Sequence, residues 1–450
     1  MSTRQPGAAK GGKARAPLLF AALAVLFVLE GTVSNAAFSG NWNNALGILN
    51  VGLISAVLAL GVNIQWGYAG LFNSGVVGFL AIGGLAPVLV SMPPTQGAFS
   101  AGGWGILIAA VIAVITLIAA VQLYQRMAKG KTRALTVTAV LIAGFFAYRA
   151  VFDPAVAAIQ AVNSASAGYL GGLGLPVLLS WPVGGLLAAG LAWIVGKTAL
   201  GLRSDYLAVA TLGIGEIVVA VLKNEEWLDR GVLNVNGIPR PWPVPYEVDL
   251  QHSADFVARA ASLGLDPVTG STIFVKLLYT GLFAAVLLLL IWLAQLALNS
   301  PWGRMMRAIR DNEVAAAAMG KNVTGRHLQI FILGGAVLGL AGAMMISLDG
   351  QMTPASYNPL RYTFLIWVMV IVGGSGNNWG SVLGGLLIWF VWIKAEIWGP
   401  ELMGLVTSHL GEGVVKAHLI DSAPHMRLVI MGVILLAVLR FSPRGLLPEK

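Results

Sequence analysis

The chain of 450 residues is 57% hydrophobic and only 10% charged, with a mean hydropathy of +0.80. A soluble domain carries roughly 25% charged residues, so this composition cannot cover a water-facing surface and instead specifies an all-α, polytopic membrane protein. The lack of cysteine excludes disulfides, thiolate metal sites and cysteine nucleophiles, and the net charge of +9 reads as Lys and Arg kept in cytoplasmic loops rather than as affinity for nucleic acid.

A bilayer core takes about 20 apolar residues per helix, so the length allows about ten to twelve spans, some short or broken. Residues 1–16 carry Arg4, Lys10, Lys13 and Arg15 among Gly and Ala and read as a disordered basic cytoplasmic tail. Residues 17–450 read as a single transmembrane domain. The first apolar run, Leu18–Leu29, has the form of a cleaved signal or of a retained first span, and the retained span is expected. Ala45–Val62 is the second span. A Gly- and amide-rich break, Asn63–Gly75, follows it, and then a glycine-rich apolar run, Gly75–Met92. Gly105–Leu123 spans to a basic cluster at 126–133, and Ala134–Phe152 returns. Asp153–Ser180 is expected outside, Trp181–Val195 crosses to Lys197 and Arg203, and Tyr206–Leu222 crosses back.

Residues 223–272 form the longest polar stretch. They hold seven of the nineteen acids together with Pro239, Pro241, Pro243 and Pro245, and read as an external loop. Ile273–Leu298 crosses to an Arg-rich insert, and Leu328–Ser347 crosses back. Tyr362–Val372 is too short to span alone. Gly373–Gly380 and Val382–Ile397 follow it, which predicts a hairpin or broken helix. Glu401–Pro424 is expected to be a polar loop, and Leu428–Leu439 the last span. With the N terminus inside, every basic cluster falls on the cytoplasmic side, which requires an even number of spans and both termini inside.

The insert lies within a cytoplasmic loop at 299–326. Arg304, Arg307 and Arg310 are three apart and therefore neighbours on a helical surface. Asp311, Asn312 and Glu313 follow, then four alanines and a helix stop at Gly320. The segment is either a plain charged loop or a short helix that docks in a groove of a soluble partner. Glu216 lies inside an apolar run, where a carboxylate costs about 3 kcal/mol, so it must face protein or water. It reads either as a pathway group or as a hydrogen-bonded structural acid. The glycines of 67–84 and 373–385 either permit close helix packing or break helices to line a polar path. The candidate path residues are Gly67, Tyr68, Gly70, Thr211, Gly213, Gly215, Glu216, Gly373, Gly374 and Gly376. Gly130-Lys131-Thr132 and Gly196-Lys197-Thr198 look like the end of a phosphate loop, but Gln125 and Leu191 stand where that loop needs its first glycine. The five histidines are scattered, so no metal site and no cofactor is expected.

Taken together, these motifs resemble permease subunits of branched-chain amino-acid ABC importers of the LivM type. The likeness rests on Gly303-Arg304, Ala308–Glu313, Ala315-Ala316, Met319-Gly320 and Asn322-Val323-Thr324, and on Asp205–Ile217. It rests also on Asn234–Pro239, Gly373–Gly380 and Phe441–Pro448. The chain departs from the general importer coupling motif in one respect: Gly320 stands seven residues after Glu313 rather than six, and Val314 follows the Glu.

The resemblance implies a permease subunit of the cell inner membrane that translocates Leu, Ile and Val by alternating access and carries out no chemistry itself. It implies two ABC ATPases docked on Arg304, Arg307, Arg310, Asp311, Asn312, Glu313 and Gly320. It further implies a second homologous permease and an external solute-binding protein. Two alternatives stay open. One is the same importer class carrying urea or short amides; the other is an ion-coupled secondary transporter, which would have no use for the docking helix.

Overall fold

The computed structural model describes residues 12–35, 37–163, 168–409 and 413–449. Residues 1–11 of the expected basic tail lie outside the described residues, and Gly12–Ala16 open the first helix, α1 (Gly12–Thr32). The chain continues through α2 (Trp42–Ala69), α3 (Val76–Gly84), α4 (Ala86–Ser91), α5 (Trp104–Arg126), α6 (Lys131–Ala161), α7 (Val177–Ala199) and α8 (Ser204–Asn224). The polar stretch folds into α9 (Glu226–Asp229), α10 (Glu247–His252) and α11 (Ala254–Ser262). Next come α12 (Pro267–Asn299), α13 (Pro301–Asp311), α14 (Glu313–Ala318) and α15 (Val323–Asp349). The chain closes with α16 (Leu365–Gly373), α17 (Asn378–Thr407), α18 (Val414–Asp421) and α19 (Met426–Phe441).

Nine helices among the described residues are long and apolar enough to cross a membrane. A tenth crossing is present if α18 and α19, bent by 71°, form one span. Two shorter apolar pieces, Val76–Ser91 and Arg361–Gly373, add to these.

The helices α2 and α15 are apolar around their whole circumference and are buried along most of their length, as expected of helices surrounded by others. They pack on each other. α15 also packs on α7 and α3, and α2 on α12 and α17. Small residues set the spacing where α3, α7 and α15 cross. A Cβ on Gly339 would overlap Ala188 and the carbonyl of Gly184, and one on Gly83 would overlap the backbone of Gly339. Such close approach is the usual means of joining helices where lipid supplies no hydrophobic drive. In contrast, α5 and α6 pack mainly on each other and leave most of their apolar surface exposed.

Three expectations are revised. The break after the second span begins at Gly70, because α2 continues through Asn63–Ala69 and ends with Gly70 in the left-handed region (φ 70). The expected polar loop 401–424 is largely helical, as α17 runs on to Thr407 and α18 covers Val414–Asp421. The insert is not one helix: Asn312 ends α13 and its side chain accepts from the Ala315 N–H (2.9 Å), so it caps α14.

One charged pair lies in the core. Lys394 of α17 and Glu30 of α1 pair at 2.8 Å, with side chains 1% and 0% exposed. Ser39 Oγ (2.7 Å) and Asn44 Nδ2 (2.8 Å) also donate to Glu30. The sequence signal for a buried pair is Lys394 inside the apolar run Val382–Ile397, but that run carries its own acid, Glu396, so the partner Glu30 is not legible from it.

Candidate translocation path and coupling helix

The break after α2 and the break between α16 and α17 meet. Gly374 (φ 115) and Gly376 (φ 81) turn the chain between the latter two helices through a region that side chains rarely adopt. Gly376 N–H donates to Asn63 Oδ1 (2.8 Å), Asn63 Nδ2 to Asn378 Oδ1 (3.2 Å), and the Tyr68 hydroxyl to the same Asn378 oxygen. Gln65 receives a bond from Asn73 Nδ2 (2.8 Å) and donates to the Phe331 carbonyl (3.0 Å). The Trp367 indole donates to the Asn73 carbonyl (2.9 Å), and Thr211 Oγ1 accepts from Ser74 N–H (3.1 Å). Asn63, Gln65 and Asn73 are all fully buried. Backbone groups released by the broken helices thus find side-chain amides rather than water, which is the requirement for irregular backbone at membrane depth.

Of the candidate path residues, Gly67, Tyr68, Gly70, Gly373, Gly374, Gly376 and Thr211 gather around this closed amide junction. Gly215 belongs to it by packing, since its Cα lies against the backbone of Gly75 and Gly78. Gly213 and Glu216 do not: both lie on the exposed side of α8. The reading of Glu216 as a hydrogen-bonded structural acid does not describe its position, which is open and flanked by exposed Ile217 and Leu212.

The insert is organised differently from a uniform docking face. Met306 and Ile309 of α13 are buried in the core. Arg304 and Arg307 donate to the carbonyls of Asn299 (3.2 Å) and Leu298 (3.4 Å), which α12 leaves unpaired at its end. Arg310 points inward: it donates to the Gly67 carbonyl and pairs with Glu449 (2.8 Å), and Asp311 lies beside it (3.3 Å). Residues 446–449 are in turn stitched to the second break, by Leu446 N–H to Val372 O (2.8 Å), Leu447 N–H to Gly373 O (2.9 Å) and Asn377 Nδ2 to Pro448 O (3.3 Å). One guanidinium therefore ties α13 to both helix breaks. The outward surface is α14 and its end, where Glu313 and Gly320 are exposed and Val314 and Met319 are 80% and 77% exposed. Arg15, Arg307 and Glu449 line a single cavity of about 550 Å³, so the start of α1 and residues 447–449 lie at the same end of the bundle.

At the opposite end, residues 225–266 close over the bundle. Val235 and Asn236 (β1, Val235–Asn236) pair antiparallel with Met352 and Gln351 (β2, Gln351–Met352), directly after α15. Asp229 in this cover is fully buried, with Oδ1 accepting from Gly231 N–H (3.0 Å) and Oδ2 unpartnered. Burial pushes its pKa up to about 7. No grouping of metal-ligating side chains occurs among the described residues.

A bundle of membrane-crossing helices with half-length broken helices and a short helix pair presented at one end is that of an all-α, multi-pass membrane protein. The family described as branched-chain amino acid transport system, permease component, matches residues 132–439, and the chain belongs to it. The chain is 26% identical to the high-affinity branched-chain amino acid transport system permease protein LivM of Escherichia coli K12 over 297 residues. That match covers 65% of this chain and 61% of LivM. A probable branched-chain amino acid transport permease protein LivM of Methanocaldococcus jannaschii is 26% identical over 275 residues, 59% of this chain and 67% of that protein. The fructose import permease protein FrcC of Rhizobium meliloti is 28% identical over 121 residues, 26% of this chain and 34% of FrcC. No solved structure matches.

Proposed function

We propose that the chain is a transmembrane subunit of an ATP-driven importer of the inner membrane, carrying branched-chain amino acids by alternating access. Both termini lie in the cytoplasm in this reading, and the segment 225–266 faces the compartment from which a solute-binding protein delivers cargo. Two separate ATPase chains dock on α14. A second, related permease covers α8, because an exposed carboxylate such as Glu216 inside an apolar span costs about 3 kcal/mol unless protein or water meets it.

The observation that carries the reading is the Arg310 linkage. Motion imposed on α14 reaches α13 directly, and Arg310 passes it to the end of α2 and to the turn between α16 and α17. Those are the irregular elements a path would have to open. An ion-coupled transporter has no need for an exposed helix joined in this way to its breaks.

The test is co-purification. Val314→Asp and Met319→Asp place charge on the exposed face of α14 without touching the core. The tagged wild-type chain is expected to bring down two ATPase chains and a second permease from its native membrane, and the double variant to bring down only the permease. ATPases retained by a double variant of normal thermal stability would sink the docking assignment.

A further inference from the structure

Inside the bundle, between α2, α15, α16 and α17, lies a cavity of about 80 Å³. A single water needs roughly 10–15 Å³ on such a measure, so the space suits a solute of under about ten heavy atoms. Two opposite charges stand on its wall, Asp349 at the end of α15 and Arg361 at the start of the α16 segment. Neither enters an ion pair among the described residues. Asp349 is exposed and Arg361 half-buried, so both can be reached. The Arg361 guanidinium is held over the rings of Tyr362 (5.1 Å) and Trp389 (5.5 Å), and its Nε has no hydrogen-bond partner. Trp389 also lines the cavity, is 5% exposed, and its indole N–H is likewise unpartnered.

The remaining wall is mostly apolar, with Leu58, Ile366 and Met369 among its members. Unpaired opposite charges, an orphan N–H donor and an aliphatic surface around one small space are complementary to a molecule with all three features. We propose that this cavity is a binding site for a free α-amino acid. Arg361 and the Trp389 N–H receive the carboxylate, Asp349 receives the ammonium, and Leu58, Ile366 and Met369 receive an aliphatic side chain. The charges by themselves specify a zwitterion. The choice of a branched aliphatic one rests on the proposed function.

Asp349 stands two residues before Gln351, which pairs with Asn236, so this wall of the site lies toward the end of the bundle closed by residues 225–266. Arg361 also lines a wider neighbouring cavity of about 290 Å³, together with Asn358 and Arg427. The guanidinium thus stands on the wall of both spaces. The permease therefore selects cargo itself, in addition to any selection made before delivery.

The experiment uses the assembled transporter in lipid nanodiscs, without its soluble binding protein. Binding of radiolabelled leucine is measured against unlabelled leucine, leucinamide, which lacks the carboxylate, and 4-methylpentanoate, which lacks the ammonium. The site predicts saturable binding, with each analogue competing about tenfold or more worse than leucine. Arg361→Gln is expected to shrink the difference between leucine and leucinamide, and Asp349→Asn the difference between leucine and 4-methylpentanoate. The wild-type ligand series stands even if a variant fails to assemble. A transporter that takes up leucine but shows no saturable binding, or competes equally with both analogues, overturns the site and leaves the proposed function intact. A transporter that takes up no branched-chain amino acid overturns the cargo reading, and this site with it.

Discussion

Replacing Lys394 by methionine keeps most of the side-chain volume and removes the charge facing Glu30. The pair is 2.8 Å apart with both partners at most 1% exposed. At an effective dielectric constant of about 20, the attraction at that distance is about 6 kcal/mol. Losing one member of a buried pair costs about 3–5 kcal/mol, because the other charge is left stranded. Ser39 and Asn44 still donate to Glu30 and soften the loss, which places it near 4 kcal/mol. Unfolding entropy of about 2.1 cal/mol/K per residue, applied to the 450 residues, converts that into a fall in Tm of about 4 °C, and more if only part of the bundle melts. Intrinsic fluorescence of the 14 tryptophans follows the transition in detergent. The double variant Lys394→Met, Glu30→Gln should recover most of the loss, because no bare charge remains. A double variant as unstable as the single one, or a single variant with an unchanged Tm, would show that this pair is not the joint between α1 and α17.

Glu449→Gln should leave ATPase association intact while lowering uptake per ATP hydrolysed. The pair it breaks is partly exposed (24% and 31%), so its coupling to Arg310 should be about 1 kcal/mol in a double-mutant cycle. An uptake-to-ATP ratio unchanged from wild type would remove Arg310 from the transmission route. Gly339→Val inserts side chain where Gly184 and Ala188 approach and should destabilise by about 1–3 kcal/mol or more, seen as reduced Tm and yield; normal stability would mean that the α7–α15 crossing is loose. Asp229 has a folded-state pKa of about 7 against an ordinary 3.8, so the folded state binds its proton more tightly. Stability of the 225–246 segment should therefore fall as pH rises from about 4 to about 7 and then level off. Hydrogen exchange across that range should show the trend in wild type and a flatter profile in Asp229→Asn, and identical profiles would place the titration elsewhere.

The apolar runs, the polar segment at 223–272, the charged insert and the two glycine-rich breaks were legible because each is a local property of the chain. Hydropathy over twenty residues decides whether a segment enters a membrane, whatever its neighbours are. Boundaries were less legible: Asn63–Ala69 looked like loop by composition, yet it remains helical because Phe331 of α15, Asn378 of α17 and Gly376 of the turn before it satisfy its side-chain amides. Arg310 showed the limit most clearly. Its spacing from Arg304 and Arg307 placed three cations on one docking surface, while the packing of Met306 and Ile309 turned Arg310 toward Gly67 and Glu449.

By itself the sequence determined that this chain lives in a membrane and that it carries a polar insert with the pattern of an importer permease. The tertiary structure alone decided which polar groups meet. Lys394 and Glu30 lie more than 300 residues apart in sequence, and Asp349 and Arg361 belong to different helices. Pairing across such separations is set by the rotation and crossing of packed helices. That depends on the shape of every surface in contact at once, not on the hydropathy of any one of them.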